Sequence, residues 1–140
     1  MFMSCTSLTD ISALTSWNTG NVTDMSGMFR YCASLTNLSG LSSWDTGNVT
    51  KMSDTFSGTF EGCTSLTDIS ALSSWNTAKV TSMNAMFRRC TALTDASGIN
   101  DWEINKVSNF SYMFDECPSH PTFTKRKGTW SFNGTFKPAA

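Results

Sequence analysis

Met28-Phe29-Arg30-Tyr31-Cys32-Ala33-Ser34-Leu35-Thr36-Asn37-Leu38-Ser39-Gly40-Leu41-Ser42-Ser43-Trp44 decides how this chain of 140 residues is read, because the same pattern returns along its length. Cys5, Cys32, Cys63, Cys90 and Cys117 are separated by 27, 31, 27 and 27 residues, and Trp17, Trp44, Trp75 and Trp102 each follow a cysteine by 12. Leu8, Leu35, Leu66 and Leu93 form a further column, and Val22, Val49, Val80 and Val107 another. The one longer interval has a visible cause: Thr55-Phe56-Ser57-Gly58 is followed by Thr59-Phe60-Glu61-Gly62, a tandem duplication of four residues. A period of about 20 to 50 residues marks repeated units that bury their apolar sides only against one another.

Inside a unit the apolar positions Val22, Met25, Met28/Phe29, Cys32, Leu35, Leu38, Leu41 and Trp44 advance in steps close to three. A half-buried strand alternates every second residue and an amphipathic helix steps three, four, three, so neither accounts for the unit. The pattern predicts a leucine-rich-repeat-like solenoid of short parallel β-strands stacked coil on coil. Strands are expected at residues 7–11, 34–38, 65–69 and 92–96, and second extended pieces at 21–25, 48–52, 79–83 and 106–110. A short helical or 3₁₀ turn is expected at each Met-Phe-x-x-Cys. Asn, Asp and Gly after each tryptophan supply corner chemistry.

Residues 1–117 read as about four and a half 27-residue units with the four-residue insertion within 55–62, and residues 118–140 as a C-terminal cap and tail. Pro118 and Pro121 break the pattern there, and Asn133-Gly134 between Trp130 and Phe136 predicts a β-hairpin with a two-residue turn. Nothing comparable stands at the N-terminus, so the first coil is expected to be uncapped and open to self-association.

A net charge of −1 with 39% hydrophobic residues is ordinary for a soluble globular chain. Ten basic residues among eleven acidic ones make no phosphate-binding stripe, which argues against nucleic acid as partner. The single basic run, Lys125-Arg126-Lys127, reads as a solvated turn, with a phosphate or headgroup contact as its alternative. No apolar stretch reaches the roughly 18 to 20 residues of a membrane span. Met-Phe-Met-Ser-Cys at the N-terminus lacks the order of a signal peptide, and residue 1 falls inside a repeat, as in a segment of a longer chain.

The residues offer little to catalysis or metal binding. One histidine and no C-x-x-C pair exclude structural zinc, and the five cysteines read as a thiol ladder in the core rather than as disulfides. Asp10, Asn37, Asp68 and Asp95 share a column that invites calcium, but no glycine-rich loop gathers further oxygens, so the column reads as a solvated polar face. His120, between two prolines, reads as an exposed loop histidine rather than a general base. The tryptophan row reads as core, with sugar stacking as the alternative if it is exposed. No catalytic residue, cofactor or metal is expected.

The unit Met-Phe-x-x-Cys-x-x-Leu-Thr, followed by Trp with Asn/Asp-Thr and then Val-Thr-x-Met-Ser, closely resembles the repeats of BspA-like leucine-rich-repeat surface proteins over residues 1–117. Residues 121–126, 128–130 and 133–136 look like the segment that closes such arrays. Ala96, Phe110 and Glu103-Ile104 depart from the pattern. The resemblance implies a bacterial cell-surface or secreted protein used in adhesion, and it carries over no binding residue, because the matching positions build the core.

Specificity then falls to the variable outward positions, either Asp24, Lys51, Ser82 and Asn109 or the column Arg30, Glu61, Arg88 and Asp115. The Arg88-Arg89 pair and the Phe56/Phe60 duplication favour a partner-binding role. Arg30, Glu61, Arg88, Arg89 and Asp115 are the candidate contact surface. The expected function is a non-catalytic adhesion or interaction module binding a host or neighbouring-cell protein or glycan. The alternative is a spacer or stalk segment with no ligand of its own.

Overall fold

The structure, a computed structural model, describes residues 2–52 and 58–139. Among these, four 3₁₀ turns, Ser12–Ser16, Ser39–Leu41, Ser70–Ser74 and Ser97–Ile99, precede one antiparallel sheet made of β1 (Gly128–Trp130) and β2 (Phe136–Pro138). The expected leucine-rich-repeat-like solenoid of stacked parallel strands is therefore corrected: no parallel sheet forms among the described residues. Where strands were expected, only isolated parallel bridges occur. One joins Asp68 to Asp95, and a second series runs from Asp24 to Lys51, Ser82 and Asn109.

The step of three has another origin. Apolar residues donate their backbone N–H to the carbonyl of the apolar residue three places earlier: Cys32 to Phe29 at 3.1 Å, Leu35 to Cys32 at 3.2 Å, Leu41 to Leu38 at 2.8 Å and Trp44 to Leu41 at 3.1 Å. Each bond closes a 3₁₀-type turn, in which residues three apart eclipse and face the same side. Each also consumes an N–H that a strand ladder would need. The helical geometry falls after the Asp/Asn column rather than on Met-Phe-x-x-Cys, which forms hydrogen-bonded turns. Oδ1 of Asp10, Asn37, Asp68 and Asp95 accepts the N–H of Ser12, Ser39, Ser70 and Ser97 at 2.9, 2.8, 2.8 and 2.9 Å. The column considered for calcium thus starts the 3₁₀ turns as a set of Asx turns.

Successive units meet through rows of equivalent side chains. Phe2, Phe29, Phe60, Phe87 and Phe114 stack in series with centroids 5.4, 5.6, 5.5 and 5.0 Å apart. Trp17, Trp44 and Trp75 stack at 6.1 and 6.5 Å. The polar atoms of these rows are spent on the preceding unit. Nε1 of Trp44, Trp75 and Trp102 donates to the carbonyls of Leu14, Leu41 and Leu72 at 2.8, 2.8 and 2.9 Å. The thiols of Cys32, Cys63, Cys90 and Cys117 donate to the carbonyls of Phe2, Phe29, Phe60 and Phe87 at 3.0, 3.2, 3.2 and 2.9 Å. All five cysteines are free, and burial pushes the Cys63 thiol up to about 12. A buried Trp or Cys fits an apolar core when its one donor finds an acceptor.

The four-residue duplication is accommodated at a defined point. Phe60 occupies the phenylalanine row, whereas Phe56 lies outside the described residues. Met28 N–H closes a turn onto Met25 O at 3.2 Å, while the corresponding bond to Met52 O comes from Thr59 N–H at 3.0 Å. Thr59 stands where other units carry Met28, Met86 and Met113, and its buried hydroxyl shares its one hydrogen between the carbonyls of Met52 and Met25, 2.6 and 3.0 Å away.

The 3₁₀ turns associate in pairs, first with second and third with fourth, while the second and third barely touch. Glycine sets the alternation: a Cβ at Gly40 would collide with the Ile11 carbonyl, and one at Gly98 would lie 2.7 Å from Ser70 Cα. The first and third turns carry Ala13 and Ala71 at this position. A groove of about 480 Å³ opens between the second and third, bordered by Asn37, Ser39, Asp68 and Ser70.

The C-terminal hairpin forms, with Trp130 opposite Phe136. Its turn is longer than Asn133-Gly134 alone. Ser131 N–H donates to Thr135 O at 3.0 Å and Gly134 N–H to Ser131 O at 3.1 Å, which leaves Phe132, Asn133 and Gly134 in the loop. Gly134 adopts φ +70°, the left-handed conformation that closes three-residue hairpin loops. Its carbonyl accepts Phe114 N–H at 3.0 Å, the bond that Met113 O accepts from Phe87 one unit earlier.

Candidate interaction surface

The residue immediately before each cysteine, Ser4, Tyr31, Gly62, Arg89 or Glu116, has positive φ, between 60° and 75°. Four of the five are not glycine, in a region that costs most side chains roughly 1 kcal/mol. The compensation is a bond to the next unit. Ser4, Tyr31, Gly62 and Arg89 donate N–H to the carbonyls of Arg30, Glu61, Arg88 and Asp115 at 2.7, 2.7, 2.7 and 2.8 Å. The turned backbone thereby carries two adjacent side-chain columns to one outer face, and their charges meet across units.

The structure brings all five candidate contact residues onto this face. Arg30 Nε lies 3.1 Å from Glu61 Oε1, Arg88 Nε 3.2 Å from Asp115 Oδ2, and Arg89 Nε 2.9 Å from Glu116 Oε2. Burial falls along the series. Glu61 is only 3% exposed and also accepts Gly58 N–H at 3.4 Å, whereas the Arg89–Glu116 pair is open to solvent. Glu61 is thus a structural anchor, and the accessible charge lies toward Arg88, Arg89 and Asp115. The hydrogen bond from Arg89 to Glu116 raises the guanidinium pKa further.

Two tyrosines complete the surface. The Arg30 guanidinium lies 4.4 Å from the Tyr31 ring centroid and that of Arg88 5.4 Å from the Tyr112 centroid, within cation–π range. Arg30, Glu61, Asn84, Arg88 and Tyr112 border a groove of about 400 Å³. Tyr112, 43% exposed, was missed in the sequence because it lies outside the charged columns. It sits at φ +59° in the column of Gly27 and Ala85, so a tyrosine where another unit has glycine was the available signal. The other outward column, Asp24, Lys51, Ser82 and Asn109, forms the parallel bridges instead.

The remaining candidates lie elsewhere. His120 stacks on Trp130 at 4.8 Å, with Nδ1 2.9 Å from the Pro121 carbonyl. Among the described residues no group of three His, Cys, Asp or Glu side chains gathers as a metal site. No helix among them is long and apolar enough to cross a membrane. The first unit exposes Met3 and Trp17 on its outer side.

Residues 1–130 match a family model described as "Mycoplasma protein of unknown function, DUF285". No curated protein and no solved structure matches the chain.

Proposed function

We propose that this chain, which belongs to the DUF285 family, is a non-catalytic interaction module of a bacterial surface or secreted protein, related in its repeats to the BspA-like adhesins, and that it binds a protein partner. The carrying observation is the Arg88–Tyr112–Asp115 end of the charged face, where a guanidinium over an exposed ring borders an open groove. Arg and Tyr dominate the energetic centres of protein interfaces because they combine large area with directed polar contacts. A glycan stacked on Tyr112 is the other ligand class within this reading. A spacer without a ligand would have outward columns interchangeable between units, whereas this column runs Arg30, Glu61, Arg88, Asp115.

The test is adhesion of beads coated with the folded chain to epithelial cells and to immobilised matrix proteins. Binding that is lost in an Arg88→Ala/Tyr112→Ala double variant of unchanged melting temperature supports the module. Equal adhesion by the variant, or none by the parent chain, favours the spacer. A second copy of the chain meeting the outer side of the first unit, at Met3 and Trp17, is the self-association included in this reading, and sedimentation velocity with a Trp17→Glu variant tests it.

A further inference from the structure

A cavity of about 480 Å³ in the C-terminal segment shares no lining residue with the groove on the charged face and is walled by His120, Phe123, Trp130 and Phe136 and rimmed by Arg126 and Lys127. Phe123 packs edge-on against Phe136 at 5.1 Å and lies 5.8 Å from Trp130. Three ring contacts and the His120–Trp130 stack hold these walls in place. Trp130 Nε1 donates to the Pro121 carbonyl at 3.0 Å, so its indole offers the cavity mainly an apolar face.

Among the described residues the charged side chains at the rim, Arg126 and Lys127, are of one sign. Arg126 Nη1 donates to the carbonyls of Ile104 and Val107 at 2.9 and 3.0 Å, which fixes the guanidinium without neutralising it. Among the described residues the ion pairs engage Arg30, Arg88 and Arg89, and none engages Lys125, Arg126 or Lys127. Among the described residues no carboxylate side chain lines the cavity. Ligand sites of this size combine apolar walls with a few placed polar groups.

We propose that this cavity binds a small planar aromatic anion, its rings between the aromatic walls and its carboxylate or sulfonate against Lys127 and Arg126. Two residues of the Lys125-Arg126-Lys127 run, Arg126 and Lys127, then have a role beyond solubility: they supply the rim of the site.

The test uses two probes with the same ring system, the anion 8-anilinonaphthalene-1-sulfonate and neutral N-phenyl-1-naphthylamine, titrated into the folded chain. The sulfonate is expected to bind one to one, to move the Trp130 indole N–H resonance while leaving that of Trp17 in place, and to bind more tightly than the neutral probe. Lys127→Glu should weaken the sulfonate about tenfold and leave the neutral probe unaffected, with Lys127→Gln giving a smaller loss in the same direction. Far-ultraviolet circular dichroism and the melting temperature confirm that both variants are folded. Equal affinity for the two probes, no effect of Lys127→Glu, or a shift at Trp17 instead of Trp130 overturns the proposal.

Discussion

Glu61 reaches back one unit to Arg30, and their 3.1 Å contact is the most enclosed of three ion pairs on the same face, with side chains 4% and 22% exposed. Removing one partner from such a pair strands the other charge away from full hydration. Glu61→Ala is expected to lower unfolding free energy by about 3 kcal/mol, the lower end for a buried pair because Arg30 retains some water. Glu116→Ala, in the solvent-exposed pair with Arg89, should leave the urea midpoint unchanged. Equal shifts in the two variants would contradict the burial gradient.

The indole donors make a second measurable series. Trp44→Phe keeps an aromatic ring in the row but leaves the Leu14 carbonyl without the 2.8 Å bond from Nε1. The expected loss is about 1–2 kcal/mol in equilibrium denaturation. Trp17, 38% exposed, provides the control: Trp17→Phe should cost much less.

Buried thiols predict a response to alkali. Cys63 holds its proton to about 12, compared with an ordinary value of 9.0, because desolvation disfavours the thiolate. Between these values the unfolded chain releases the proton and the folded chain keeps it, so stability falls as pH rises. The slope approaches about 1.4 kcal/mol per pH unit for this thiol well above pH 9. Burial also raises Cys32 and Cys90, which adds to the same trend. In the native chain at pH 8, iodoacetamide should modify half-buried Cys5 well before Cys63 and Cys90, as read by peptide mass spectrometry.

Close approach of the first two 3₁₀ turns makes Gly40 sensitive. Gly40→Ala drives a methyl group into the Ile11 carbonyl and is expected to destabilise by about 1–3 kcal/mol, measured by urea denaturation. Ala71→Gly, at the same position one unit later, removes only a methyl group and should have the smaller effect.

Much of the core was legible because its rows are written in the sequence: the columns of Cys32, Leu35, Leu41 and Trp44 all recur, and all four residues are buried. The backbone that carries them was not. Apolar steps of three fit short extended pieces with corners and chained 3₁₀ turns equally well, and only backbone bonds such as those from Leu35 N–H to Cys32 O and Trp44 N–H to Leu41 O separate the two. For the same reason Asp10 and Asp68 read as a solvated row, although each starts a 3₁₀ turn. On the outer face, the repeat frame located Arg30, Glu61, Arg88 and Asp115. The depth of Glu61 and the placement of Tyr112 depend on how far one unit's side chains cross onto the next, which spacing along the chain does not encode.

The alternation of Ala13 and Ala71 with Gly40 and Gly98 also gives the chain a mechanical grain. Close contact between 3₁₀ turns occurs within each pair of units and lapses between the second and third. A load applied along the array is therefore carried at that middle junction by the side-chain rows, the Trp75–Leu41 and Cys63–Phe29 bonds and the Arg30–Glu61 pair, without the turn-on-turn packing that reinforces the junctions on either side.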